Sequence, residues 1–225
     1  GKLLKPLKTG GGHRINDLLH TSSGTDEEML LQEVISGTPI STCIVGTGKG
    51  CRFLGATEQI TFDRYLYCGN ITPLKTTKLV EDISVRIGEM FGLRGVNGID
   101  FMSTADGAYV LEVNPRLTGA MEVLEKAYGV NLFDIHVRAC SGVLDFKPEK
   151  NGMYYSRKII YATEDQRVRL DRLERTFIRD VPAEEYIKKM SPICTIIGEG
   201  KTPDACREDV IRKEKIYADL WQKNL

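Results

Sequence analysis

The sequence carries no surplus of either charge. Lys and Arg number 31, as do Asp and Glu, so nothing in the balance draws the chain to a nucleic-acid backbone or an acidic membrane. No apolar run is long enough to span a bilayer. None of the six cysteines forms a CxxC pair and only three histidines are present, which leaves no ligand set of the structural-zinc type. No GK[ST] follows the one glycine run, so this is not a P-loop. Free thiols in a chain of this size fit a reducing compartment, the cytoplasm, while their even number leaves disulfides open. The chain starts at Gly1 and not at Met, which predicts that something upstream was removed and leaves room for a targeting segment.

What is present centres on the stretch from Arg94 to Glu125. Ile99-Asp100-Phe101-Met102 leads into the turn cluster Ser103–Gly107, and Tyr109–Val113 leads back, which reads as a hairpin. Side chains alternate along a strand, so Glu112 and Asn114 share a face. If the register sets Asp100 opposite Glu112, and Met102 opposite Val110, both acids serve one face. That requires an odd-length loop such as Thr104–Ala108, or a bulge beside Gly107. Asp100, Glu112 and Asn114 would then supply hard oxygen ligands suited to Mg²⁺, which keeps water and substrate phosphates as its remaining ligands. Arg116 would present a fixed positive fork to an anion beside that metal. The alternative is an ordinary hairpin with a solvated acidic face.

At the N-terminus, a short strand over Lys2–Pro6 leads to Gly10-Gly11-Gly12, whose backbone N–H groups suit an anion, with Lys5 within reach of the same phosphates. A flexible hairpin tip is the competing reading. Met29–Ile35 and Ile40–Val45 read as strands separated by Ser36–Pro39, and Gln32 and Glu33 sit where they would meet an adenine edge. GTGKG (Gly46–Gly50) reads as a hairpin turn, Cys51–Gly55 as its returning strand, and Tyr65–Pro73 as a further strand. Helical spacing runs from Lys78 to a stop at Gly92. It recurs over Ala120–Tyr128, closed by Gly129, and over Leu132–Cys140, capped by Asn131. His136 in the last of these reads as a satisfied core or boundary histidine. Asp145–Gly152 reads as a linker. Beyond it come strands at Met153–Thr163, Phe177–Pro182 and Ser191–Ile197, then a helix capped by Thr202 with Pro203 in its first turn.

KPLKTGGGHRI, LQEVISGTPIS and NGIDFM…YVLEVNPRLTGAMEV together resemble the ATP-grasp superfamily, and in particular the ATP-dependent carboligases related to biotin carboxylase. The resemblance covers roughly Lys2 to Gly142, and the tail PICTIIGEGKTPDACREDV is similar to the region that follows the grasp domain in that group. It implies an α+β fold of two lobes sandwiching a nucleotide between antiparallel sheets. Residues 1–142 would form the ATP-grasp domain and 143–225 a small C-terminal α+β appendage. The resemblance also implies an N-terminal domain preceding the grasp region, which this sequence is expected to lack. ATP and Mg²⁺ are the implied cofactors. Lys5 and Gly10–Gly12 would hold phosphates, and Gln32, Glu33, Val34 and Ile35 would form the hinge against adenine. Asp100, Glu112 and Asn114 would hold the metal, and Arg116, with Asn114 beside it, would face the reacting carboxylate. Ile40 stands where many members carry a ribose-binding acid, which implies weaker ribose recognition or a shift of that role to Glu33.

The implied activity is transfer of the γ-phosphoryl of ATP to a carboxylate, followed by attack of an amine or other nucleophile on the acyl phosphate. That chemistry needs no covalent enzyme nucleophile, and the sequence sets no Ser or Cys beside a base. The alternatives are a carboxylase-like reaction with bicarbonate and a nucleotide-binding or assembly module inactive without an upstream domain. Expected partners are a small-molecule carboxylate and a nucleophilic acceptor, an upstream domain fused or on a separate chain, and a second copy in a homodimer. Nucleic acid and membrane are not among them.

Overall fold

Branched and aromatic residues in short runs between Gly, Pro and Asn punctuation favour strands over most of this chain. The computed structural model describes residues 1–7, 15–17, 28–62, 64–167, 177–181 and 186–222. It begins with β1 (Lys2–Pro6), β2 (Asn16–Asp17) and β3 (Met29–Glu33), then β4 (Thr38–Thr47), β5 (Cys51–Phe62) and β6 (Leu66–Thr72). Helix α1 (Lys78–Met90) precedes the hairpin β7 (Arg94–Thr104) and β8 (Gly107–Asn114), followed by α2 (Met121–Tyr128) and α3 (Leu132–Cys140). The chain continues through β9 (Tyr154–Tyr161), the short strands β10 (Gln166–Arg167), β11 (Ile178–Arg179) and β12 (Tyr186–Ile187), then β13 (Pro192–Gly200) and α4 (Pro203–Gln222). The fold is α+β.

Among the described residues the strands form three antiparallel sheets. A small one runs β2-β1-β3, β10 pairs with β12, and a large eight-stranded one runs β11-β13-β9-β6-β5-β4-β7-β8. Of the strands after residue 142, β9, β11 and β13 therefore extend the large sheet. β9 pairs in register with β6, from Gly69 opposite Lys158 to Thr72 opposite Tyr155, so the expected boundary falls in a loop that the sheet bridges. The aromatic and branched run of β9 supplies the ladder partner that the β6 backbone needs.

The helix ends follow local chemistry. Thr77 accepts from the Val80 amide at 3.4 Å, Asn131 from Asp134 at 2.8 Å and Thr202 from Ala205 at 3.1 Å. Gly129 closes α2 in the left-handed region at φ 61°. One face of the large sheet packs on α1, where Ile40, Ile44, Ile99 and Phe101 bury against Val80, with Ile83 and Ile87 beside them. The buried hydroxyls of Thr42 and Ser84 satisfy each other at 3.0 Å on that same face. α4 covers the C-terminal half of this face, tied to it by Arg207–Glu58 at 2.7 Å and Lys158–Glu214 at 2.6 Å. On the opposite face Cys43, Val45, Leu54 and Val96 pack beneath α2 and α3. His136 of α3 accepts the Val96 amide through Nδ1 at 3.0 Å, a satisfied boundary histidine. The rest of this face is left open as the floor of a cleft.

All six cysteines are free thiols. Burial pushes the Cys43 and Cys194 thiols up to about 12, which keeps them protonated and unreactive. No helix among the described residues is long and apolar enough to cross a membrane.

Candidate functional site

The β7–β8 hairpin sets Asp100 directly opposite Glu112 and Gly98 opposite Asn114, so both acids and the amide share one face. The path to that register differs from the expected one. The tip is tight, with Thr104 opposite Gly107, so opposed residue numbers add to an odd value there and Met102 faces Tyr109, not Val110. Phe101 then pairs with Val110, and Leu111 is the extra residue of a bulge that restores the even register at the acids. The bulge sits beside the acids instead of beside Gly107. Gly98 matters for what crosses above it: a Cβ there would lie 2.5 Å from Thr118 Cγ2, so glycine lets the loop after Arg116 lie close on the sheet.

From this hairpin a polar row runs across the sheet. Asp100 is opposite Ser41, Ser41 opposite Thr57, Gln59 opposite Asn70, and Asn70 opposite Arg157, so all stand on one face of five neighbouring strands. Hydrogen bonds stitch the row together. Gln59 Nε2 donates to Ser41 Oγ at 2.6 Å, and Ser41 Oγ donates to Asp100 Oδ1 at 2.5 Å. Asn114 Nδ2 donates to Asp100 Oδ2 at 3.2 Å while its Oδ1 accepts from Arg116 Nη2 at 3.3 Å. Asn70 Nδ2 donates to Thr57 Oγ1 at 2.7 Å, and the Tyr67 hydroxyl bonds Asn70 Oδ1. Burial, with the Glu112 charge beside it, raises the Asp100 carboxyl above the ordinary range against the bonds from Ser41, Asn114 and Gln59. Burial also pushes the Tyr67 hydroxyl up to about 12, so it stays protonated.

This row floors a cleft of about 290 Å³ whose other wall is the small sheet. Leu3 and Lys5 of β1 line it, as do Gln32, Glu33, Val34 and Ile35 at the crossing from β3 to β4, along with Asp100, Glu112, Asn114 and Arg116. The structure thus gathers Lys5, the four hinge candidates, the metal candidates and Arg116 around one space. Gly10, Gly11 and Gly12 lie outside the described residues. Ile40 is a correction. Its side chain is on the opposite face, 3% exposed and packed in the α1 core, so its identity leaves the cleft wall untouched. The lining also includes Ser41, Gln59, Thr61, Tyr67 and Asn70, which sequence reasoning did not assign. Their one local signal is the alternation Thr57, Gln59, Thr61 along β5, polar at every second position.

Residues 2–120 match the ATP-grasp domain. The chain belongs to the ATP-grasp family. An uncharacterized protein of Methanocaldococcus jannaschii is 29% identical over 205 residues, covering 88% of this chain and 50% of that protein. The tyramine–L-glutamate ligase of the same organism is 32% identical over 95 residues, 41% of this chain and 30% of the ligase. The chain thus spans at most about half the length of these relatives. In fold it is similar to the biotin carboxylase domain of a Hydrogenobacter thermophilus 2-oxoglutarate carboxylase, with a TM-score of 0.65 at 20% identity, over 87% of this chain and 52% of that one. The two-lobed ATP-grasp fold accounts for the cleft between the small and large sheets.

Within this ATP-grasp cleft the donor set suits a hard divalent cation. Asp100 and Glu112 offer two carboxylates side by side, and Asn114 adds an amide oxygen now engaged by Arg116. No group of three or more His, Cys, Asp or Glu fit for a metal occurs among the described residues. Two carboxylates are what Mg²⁺ usually takes from protein, with phosphate oxygens and water completing the shell.

Proposed function

We propose that this chain carries the nucleotide- and metal-binding core of an ATP-dependent ligase that activates a carboxylate as an acyl phosphate for attack by an amine or another nucleophile. The observation that carries the reading is the opposed Asp100–Glu112 pair on the cleft floor, with Asn114 and Arg116 continuing along the same rim. ATP would lie between the two sheets, its adenine against Gln32–Ile35, its ribose beside Glu33 and its phosphates beneath Lys5. Lys5 supplies a compact positive charge to the phosphates, the role a lysine ammonium fills best. Mg²⁺ on Asp100, Glu112 and Asn114 would neutralise charge on the phosphoryl group being transferred.

Arg116 would hold the substrate carboxylate by its planar fork, one oxygen turned toward the γ-phosphorus. That oxygen attacks, the bond between the γ-phosphorus and the bridging oxygen breaks, and ADP leaves with the bridging electrons. Arg116 then faces the acyl phosphate anion and stabilises it. The acceptor nitrogen attacks the acyl carbon, inorganic phosphate leaves, and the nitrogen loses a proton. Closure between the sheets keeps water from taking the acceptor's place. Similarity to the tyramine–L-glutamate ligase, named for joining an amine to a carboxylate, supports an amine acceptor.

The test is ADP release from MgATP in the presence of a panel of carboxylates with and without amines. Release that needs a carboxylate and is lost in Glu112→Gln supports the ligase. Release stimulated by bicarbonate alone moves the reading to a carboxylase, and tight MgATP binding with no turnover moves it to a nucleotide-binding module. An upstream segment that completes the first lobe, and a second copy in a homodimer, belong to the same proposal. Sedimentation of the chain as a monomer at assay concentration would remove the homodimer.

A further inference from the structure

We infer that Arg157 is a positioning residue, which clamps the loop carrying Arg116 to the C-terminal strands and so makes the region after residue 142 a working part of the cleft. This rests on the reading of Arg116 given above. Arg157 stands on β9, between Asn70 of β6 and Ile197 of β13 in the ladder, at the far end of the polar row. Its side chain is 12% exposed. Nη1 donates to the Gly119 carbonyl at 2.7 Å, and Nη2 donates to Asp180 Oδ2 and Thr195 Oγ1, both at 3.1 Å. One guanidinium therefore joins the loop after Arg116 to two segments of the C-terminal region. A planar fork with donors in fixed directions suits that task, and a lysine ammonium cannot copy it.

Gly119 records how close the approach is. A Cβ there would fall 2.3 Å from Arg157 Nη1 and 3.4 Å from the Tyr67 hydroxyl. Two close approaches hold the loop: Thr118 rests over Gly98, and Gly119 rests on Arg157. Ala120, the next residue, is buried at the start of α2 and passes the constraint into the helix. Arg116 lies three residues before Gly119, and its guanidinium reaches Asn114 and the Leu117 carbonyl. Loosening the Gly119 end frees the segment that aims this fork. Arg157 donates to Gly119, Asp180 and Thr195, away from the nucleotide end of the cleft at Lys5 and the β3–β4 crossing.

The test uses the full chain and reads exchange and kinetics separately. In Arg157→Ala, amide hydrogen exchange across 115–120 should speed up by about tenfold or more, while MgATP affinity stays within about twofold. Where a carboxylate substrate is turned over, its KM should rise by about tenfold with the KM for ATP unchanged. Gly119→Ala should produce the same loop opening, because its methyl group displaces the guanidinium. The double variant should be no worse than Arg157→Ala alone, since the methyl then enters vacated space. Arg157→Lys, which keeps the charge and loses the fork, should fall between wild type and Arg157→Ala. Unchanged exchange over 115–120 in Arg157→Ala, or additive losses in the double variant, would overturn the clamp. If Arg157→Ala does not fold, Gly119→Ala and Arg157→Lys decide by the same exchange measurement. Faster loop exchange without any carboxylate-dependent turnover would sustain the clamp and sink the ligase reading.

Discussion

Replacing Glu112 by Gln should stabilise the metal-free protein and weaken its response to MgATP. Asp100 and Glu112 are opposed in the β7–β8 ladder, which sets their Cβ atoms about 4.5–5.5 Å apart. Two like charges at about 5 Å repel by about 1 kcal/mol in water and about 3 kcal/mol at an effective dielectric of about 20. Glu112 is exposed, so the lower end applies and the cost is about 0.5–1 kcal/mol. Gln keeps the shape and removes that cost, so the variant should melt about 1–4 °C higher in EDTA. With MgATP at about 100 times its Kd, wild type should gain about 2.7 kcal/mol by linkage, and the variant should lose most of that gain. Thermal melts of both proteins with EDTA and with MgATP should therefore cross over in order. A variant less stable than wild type in EDTA, or equal MgATP shifts in the two proteins, would refute the reasoning.

Three other outcomes follow from the same geometry. Lys5→Ala should weaken ATP far more than adenosine in equilibrium binding, because Lys5 is assigned to the phosphates, and equal losses would move it elsewhere. Phe101→Ala, at a fully buried position between β7 and α1, should cost about 3–5 kcal/mol in chemical denaturation, with a loss under about 1 kcal/mol contradicting the packing. Cys140 is the exposed thiol and the other five are buried, so one thiol should react quickly under native conditions and six in denaturant, and rapid native labelling of Cys43 or Cys194 would contradict their burial.

The sequence was most readable where structure depends on near neighbours. Asn131, Thr202 and Gly129 mark helix ends through bonds to residues within a turn, and α1 to α4 begin and end close to the expected positions. The shared face of Asp100 and Glu112 was legible as a condition on parity, but the means were not. Val110-Leu111-Glu112 holds no glycine or asparagine to announce a bulge, and its position depends on how β8 fits β7 as a whole. Ser41, Gln59, Asn70 and Arg157 come from four strands, and only the ladder brings them into a row with Asp100. The same holds for the C-terminal region. The strand over β9 was evident from its residues, while its docking on β6 is a pairing across more than eighty residues that no local signal encodes. Ile40 shows the limit of reading a position by motif, since its side chain belongs to the other face of the sheet.

The most direct measurement is a crystal structure of the chain with Mg²⁺ and a non-hydrolysable ATP analogue. The account predicts the nucleotide between the small and large sheets, its phosphates under Lys5, and a metal about 2.0–2.1 Å from carboxylate oxygens of both Asp100 and Glu112. A nucleotide bound elsewhere, or a metal that touches neither carboxylate, would contradict it.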